Sequence, residues 1–361
     1  MQTNVFGEGM LVELEFGLET FGDVTRDASG QRTSHAQVLR EVVAEAELAD
    51  QLGVNIFGVG EHHRDDFAIS APDTVLAAIA GRTERIRVGS AVTVLSSDDP
   101  IRVFQRFSTI NAISNGRAEV ILGRGSFTES FALFGYELSD YEALFEQKLE
   151  IFAQLVQSGE VTWQGSIRPP LHEQTVYPPI EHGRLRTLIG VGGSPQSVLR
   201  AANYGFPLVL AIIGGSAERF APFANLYRHT LAQAGKAQLP IAVHSPGHIA
   251  ETDEQARNEL FPGWAETFGR IGRERGWGST VSRAQFEQEA APDGALYVGS
   301  PETVAQKIAR SLVAVGASRF DMKYANGPMP HEQLMRSIEL YATEVIPRVR
   351  ELLASSDEST P

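Results

Sequence analysis

Short apolar runs alternate along this chain with longer stretches whose apolar residues recur every three or four positions. The short runs are rich in β-branched residues and read as strands: Leu14–Glu19, Ile56–Gly60, Ile86–Leu95, Ala118–Leu122, Thr187–Val191, Leu208–Ile213, Ile241–His244 and Arg319–Tyr324. Between them, Leu39, Val42, Val43, Ala46 and Ala49 fall on one helical face. So do Val103, Phe107 and Ile110, then Phe145, Leu149, Phe152 and Val156, then Val304, Ile308, Leu312 and Val315. Ser34, Pro72–Asp73, Asp98–Pro100 and Ser300–Pro301 supply helix starts. Eight strands alternating with helices predict a parallel sheet closed into a (β/α)8 TIM barrel, with an open doubly wound sheet as the alternative. Two connections exceed what a minimal barrel needs and are read as insertions after strands four and seven. The first is Phe127–Arg186, which carries Trp163, Pro169–Pro170 and Pro178–Pro179; the second is Ser245–Gly299, which carries the glycine-containing turn Arg275–Ser279. On this fold, long segments after strands form lids and substrate walls. Residues 1–354 therefore read as one barrel domain and 355–361 as a polar tail.

Composition narrows the class of partner. With 42% hydrophobic and 21% charged residues, the 361-residue chain has ample material for one large core. Its net charge of −14 repels a phosphate backbone, which argues against nucleic acid. A single phosphorylated cofactor needs only a local nest of donors and stays open. The chain has no cysteine, so disulfide and thiolate chemistry are excluded. No apolar run has the length of a membrane span, and Met1–Leu14 has neither the basic start nor the apolar run of a signal peptide. A cytoplasmic location is the expectation.

Four constellations carry candidate chemistry. Glu61-His62-His63 follows the second strand, at the end of the barrel where catalytic groups gather. Imidazole suits proton transfer near neutral pH, and adjacent residues on an extended segment point opposite ways, so one of the two faces the cavity. A hydrogen-bonded structural pair is the plain alternative. No second cluster has metal-ligand spacing, so no metal is expected, although a metal-dependent barrel hydrolase built on His62 and His63 remains a rival. Gly190-Val191-Gly192-Gly193-Ser194-Pro195 joins strand five to a helix. Glycines there let backbone N–H groups approach an anion, and Ser194 and Ser197 add hydroxyls; a tight turn with an ordinary serine cap is the plain alternative. Gly123-Arg124-Gly125-Ser126 ends strand four with an arginine exposed enough to clamp a phosphate, or is simply a turn with a surface arginine. Gly89-Ser90-Ala91-Val92-Thr93 leaves room for a flat ring, or is simply a layer of small residues.

The ordered set of these segments resembles the bacterial luciferase-like flavin-dependent monooxygenases. Glu61-His62-His63, Arg87-Val88-Gly89-Ser90-Ala91-Val92, Pro100, Asn115-Gly116-Arg117, Gly123-Arg124-Gly125, Gly193-Ser194-Pro195-Gln196-Ser197 with Ala201-Ala202, and Glu344-Val345-Ile346-Pro347 match in order over nearly the whole chain. The resemblance implies noncovalent binding of reduced FMN, or in some branches a deazaflavin coenzyme. It puts catalysis on His62 and a non-prolyl cis peptide at Ala91-Val92 behind the flavin ring. It assigns phosphate contacts to Arg124, Gly193, Ser194 and Ser197, with Gly123 and Gly192 beside them in the cofactor-binding set. A small organic substrate, oxygen and a homodimer are the expected partners, and a separate flavin reductase is expected as well, since no Gly-x-Gly-x-x-Gly fingerprint follows a strand. A flavin-binding protein without turnover is the rival from another class. The chain departs from the family pattern after Gly205-Phe206-Pro207, where a bulky residue is common, so the resemblance does not reach the substrate. Trp163, His244, His248 and Tyr324 are substrate-facing candidates that the sequence leaves unassigned.

Overall fold

The period-two alternation of the apolar runs places one side chain in two on the helix-facing side of a strand, and the strands so built close on themselves. The structure is a computed structural model. It describes residues 13–357 apart from Ala28, Ser126 and residues 277–279. Segments noted above at Met1–Val12, Ser126, Trp277–Ser279 and residues 358–361 lie outside the described residues. The barrel strands are β1 (Glu15–Thr20), β2 (Ile56–Val59), β3 (Arg87–Val94), β4 (Ala118–Gly123), β5 (Arg186–Val191), β6 (Leu208–Ala211), β7 (Ile241–Ile249) and β8 (Arg319–Lys323). Each pairs in parallel with the next, and β8 lies between β7 and β1, so the sheet closes as a (β/α)8 barrel. The open doubly wound sheet is thereby ruled out.

The helices are α1 (His35–Gln51), α2 (Pro72–Ala80), α3 (Pro100–Ile113), α4 (Glu129–Phe134), α5 (Tyr141–Ser158), α6 (Pro195–Tyr204), α7 (Ala221–Gln233), α8 (Asp253–Glu274), α9 (Arg283–Ala290), α10 (Pro301–Val315), α11 (His331–Leu340) and α12 (Ile346–Asp357). The expected starts are used with one variation. Ser34 caps α1 by accepting from the Gln37 N–H, and Asp99 caps α3. Ser300 precedes α10 without a side-chain cap, and its own N–H is taken by Asp253. Phe16, Leu18, Phe57 and Val88 point outward and meet Val42, Leu76 and Ile79 in the ring between sheet and helices. Burial of such side chains contributes about 1.5–3 kcal/mol each.

The segment after β4 holds α4, α5 and an antiparallel hairpin of Glu160–Trp163 with Leu171–Thr175. The segment after β7 holds α8, α9 and a short strand, Tyr297–Gly299, which pairs alongside the far end of β7. The hairpin and the short strand are absent from the sequence reading. α12 also runs to Asp357, into the segment read as tail.

Candidate active site

Register decides what faces the barrel axis. Glu15, Gly17 and Glu19 on β1 align with Arg319, Asp321 and Lys323 on β8, and Gly58 aligns with both Glu19 and Gly89. These are the inward positions. Half of the wall is apolar: Ile121, Leu188, Val209 and Ala242 pack together, with Val92 against them. The other half is charged. Arg319 donates to Glu119 at 2.6 Å and to Asp321 at 2.8 Å, and all three are buried. Glycine makes the space: a Cβ on Gly17 would fall 2.1 Å from Asp321 Oδ1. His244 Nδ1 and Glu19 Oε2 share a short hydrogen bond at the upper end of this charged wall. Burial alone would lower the His244 imidazole, but the charge and hydrogen bond of Glu19 raise it above its ordinary value. Burial likewise raises the Asp321 carboxyl, to about 7, with Arg319 opposing and the Glu19 charge adding.

Above this floor, β2 runs out into Glu61-His62-His63, and the two imidazoles diverge as an extended segment requires. His62 is 8% exposed and lies among Phe67 at 4.5 Å, Phe21 at 4.8 Å and Phe127 at 4.8 Å between ring centres. Its Nδ1 is 3.3 Å from Glu129 Oε1 on α4. Burial raises the Glu129 carboxyl, but the hydrogen bond from His62 and nearby backbone N–H groups outweigh it and hold it below its usual range. His63 turns the other way: its Nε2 is 3.0 Å from Glu61 Oε1 and its ring meets the edge of Phe134. It lines a cavity of about 400 Å³ between the tops of α2 and α3, with Glu61, Asp98, Arg106 and Phe107. That cavity lies outside the barrel wall, on the opposite side of the segment from His62. Phe127 is gripped over its faces by Arg64 at 4.9 Å and Arg275 at 5.2 Å. Arg64–Glu274 and Arg270–Asp65, each 2.6 Å, tie α8 across this roof.

The inner face of β3 and its neighbours is kept flat. The Ala91–Val92 peptide is cis. A Cβ on Gly123 would fall 2.5 Å from Val92 Cγ2, and one on Gly60 would fall 2.2 Å from the Phe21 ring. On the far side of the mouth, β5 turns through Gly192 and Gly193 into α6. Gly193 has φ +111°, a conformation that favours glycine, and Gly192 has open space where a side chain would stand. Ser194 caps α6 by accepting from the Ser197 N–H, and Pro195 opens the helix. Arg124 from β4 comes to the same place. It pairs with Glu142 of α5 and lies 5.2 Å over the Tyr141 ring. Arg200 of α6 pairs with the same Glu142 at 3.3 Å and with Glu146, and donates to Ser197 Oγ at 3.4 Å. The two guanidiniums thus share one carboxylate close to Ser197 at the start of α6, a donor set whose charge and geometry suit an oxyanion. These residues fit the phosphate of a flavin mononucleotide.

His62, the Ala91–Val92 peptide, Gly123, Arg124, Gly192, Gly193, Ser194 and Ser197 are therefore brought to one end of the barrel. Sequence reasoning missed Glu129, Arg200 and Glu19. For Arg200 a signal existed: it follows Ser194 and Ser197 at spacings of three along α6. Of the unassigned candidates, only His244 faces the axis. Trp163 donates to Glu150 at 2.9 Å beside the hairpin, His248 bonds Glu259 at 2.7 Å, and Tyr324 donates to Glu45 of α1. Among the described residues, no group of three or more His, Asp or Glu is placed to hold a metal ion, and no helix is long and apolar enough to cross a membrane.

The profile of the luciferase-like monooxygenases matches residues 19–319. The 4-hydroxyprotoasukamycin monooxygenase of Streptomyces nodosus subsp. asukaensis is 25% identical over 314 residues, covering 84% of this chain and 85% of the relative. Among solved structures, the oxygenating constituent of 3,6-diketocamphane monooxygenase from Pseudomonas putida, in complex with FMN, superposes with a TM-score of 0.75 at 18% identity, covering 93% of this chain and 98% of that one. An F420-dependent secondary alcohol dehydrogenase superposes with a TM-score of 0.71 at 16% identity, covering 94% and 100%.

Proposed function

The chain belongs to the luciferase-like monooxygenase family and is an oxidoreductase of that family, and from that premise we propose that it is an FMN-dependent monooxygenase acting on a small organic substrate with oxygen. The observation that carries the reading is the convergence of Arg124, Arg200 and the Gly192–Ser197 turn on one side of the barrel mouth, with His62 on the other. Bound reduced FMN supplies the electrons that activate oxygen. Arg124 and Arg200 hold the phosphate, which takes the place of the Glu142 carboxylate, 63% exposed, between them. The flat wall at Gly60, Ala91–Val92 and Gly123 takes the ring. Phe21, Phe67 and Phe127 exclude water from it. His62 holds the proton: Glu129 fixes its Nδ1–H, which leaves Nε2 as the atom for transfer. A separate reductase delivers the reduced flavin.

A substrate screen with reduced FMN and a generic flavin reductase tests this, read by oxygen uptake and product mass. Substrate-dependent uptake with one oxygen atom gained is expected. Bound coenzyme with deazaflavin absorbance, and oxidation without oxygen uptake, would instead establish a deazaflavin-dependent dehydrogenase. The likeness to the F420-dependent alcohol dehydrogenase supports that second reading.

A further inference from the structure

Glu19 is the last inward-facing side chain of β1, and His244 faces it from β7. Glu19 is 1% exposed, yet its second oxygen, Oε1, has no hydrogen-bond partner. That oxygen lies against the inner wall at Gly58, where a Cβ would fall 3.3 Å from it and 3.2 Å from the Ala91 Cβ. It therefore stands next to the β3 wall that carries the Ala91–Val92 peptide. Two residues further on, Phe21 closes the roof against His62. A buried carboxylate oxygen without a donor is costly, and a ligand that brings a donor recovers the cost. The opposite wall, Ile121, Leu188, Val209 and Ala242 with Val92, has no polar side chain to offer.

Resting on the flavin reading of the mouth given above, we propose that Glu19 and His244 form the polar anchor of the substrate site. The anchor takes a substrate with an apolar body through a hydroxyl that donates to Glu19 Oε1. His244 occupies the other oxygen and so fixes the direction of the free one. Asp321 and Lys323 from β8 act on His244 from the next strand, with Asp23 pairing Lys323 at 3.0 Å, so the anchor sits among charges of both signs. The apolar wall holds the remainder of the substrate, and the donor requirement selects a hydroxylated compound over its ether or hydrocarbon counterpart.

The probes are 4-propylphenol and its methyl ether, titrated calorimetrically into the full chain with and without FMN. The wild type is expected to bind the phenol about tenfold or more tightly than the ether. Glu19→Leu should bring that ratio close to one, and Glu19→Gln, which keeps the shape with a weaker acceptor, should cut it at least threefold. FMN affinity should stay within twofold in both. If Glu19→Leu does not fold, Glu19→Gln carries the test alone. Equal binding of the two probes by the wild type, or an unchanged ratio in Glu19→Gln, overturns the proposal. Loss of FMN affinity with the ratio intact also overturns it and assigns Glu19 to the flavin. A wild type that binds no FMN, but whose phenol preference falls in Glu19→Gln, removes the flavin reading and leaves the anchor standing.

Discussion

His62 and His63 are adjacent imidazoles with opposite surroundings, and the difference gives a paired test. His62→Ala removes the ring held by Glu129 beneath three phenylalanines, whereas His63→Ala removes one bonded to Glu61 outside the barrel wall. Substrate oxidation is expected to slow by ~10²–10⁴-fold in the first, the usual worth of acid–base catalysis, with FMN affinity nearly unchanged. The second should lose less activity and show its effect as lowered stability. Turnover kinetics and thermal unfolding of the two variants check this; turnover abolished by His63→Ala and kept by His62→Ala would assign the proton to the wrong face. The pattern made the Glu61-His62-His63 segment legible because histidines at a strand end are conspicuous, and the family resemblance rather than the pattern chose His62 over His63. Glu19 was illegible for a physical reason. In Glu15-Phe16-Gly17-Leu18-Glu19 the polar positions alternate with apolar ones, and period two alone cannot distinguish a face turned to water from one turned into a charged barrel. Glu119 and Arg319 escape notice for the same reason.

At the level of elements, β7 runs on to Ile249, five residues past the His244 at which its apolar run was expected to stop, but the other strand ends were readable to within two residues because β-branched runs and glycines bound them. The hairpin at Glu160–Trp163 and Leu171–Thr175 was not, since its outer strand is polar and mostly exposed. The turn into α6 depends on Gly193, whose φ of +111° an alanine adopts only with strain. Gly193→Ala is expected to cost about 1–2 kcal/mol of stability, measured by urea unfolding, and to weaken FMN binding by misaiming the helix start. Retention of both would show that the turn tolerates a side chain. The contact of β1, β7 and β8 makes a pH prediction. His244 and Asp321 both have raised values in the folded barrel, so the folded state holds more protons than the unfolded chain. Their contribution is full below the unfolded carboxyl value and is lost as pH rises through about 7 and then through the raised His244 value. The stability difference between wild type and a His244→Asn, Asp321→Asn double variant should therefore shrink from pH 5 to pH 8. Urea midpoints across that range check the sign, and a difference that grows with pH would contradict it.

For the whole molecule, the apolar stripes of α1 and α2 are largely used against the barrel: Val42, Ala46, Leu76 and Ile79 are buried. Large apolar side chains remain exposed around α4, at Leu133, Phe134 and Leu138, 61%, 49% and 54% exposed. A homodimer is proposed, and a monomeric mass by light scattering at micromolar protein would contradict it. The long segments after β4 and β7 supply the roof, with Phe127 and α8 over His62, which their length alone could suggest but not place. The central claim is that this end of the barrel holds FMN by its phosphate. Titration of the purified chain with FMN and with riboflavin, followed by flavin fluorescence, tests it most directly. The account predicts that FMN binds at least tenfold more tightly, and that Arg124→Ala or Arg200→Ala weakens FMN by roughly 1.5–3 kcal/mol while leaving riboflavin unchanged. Equal affinity for the two flavins, or variants that weaken both alike, would contradict it.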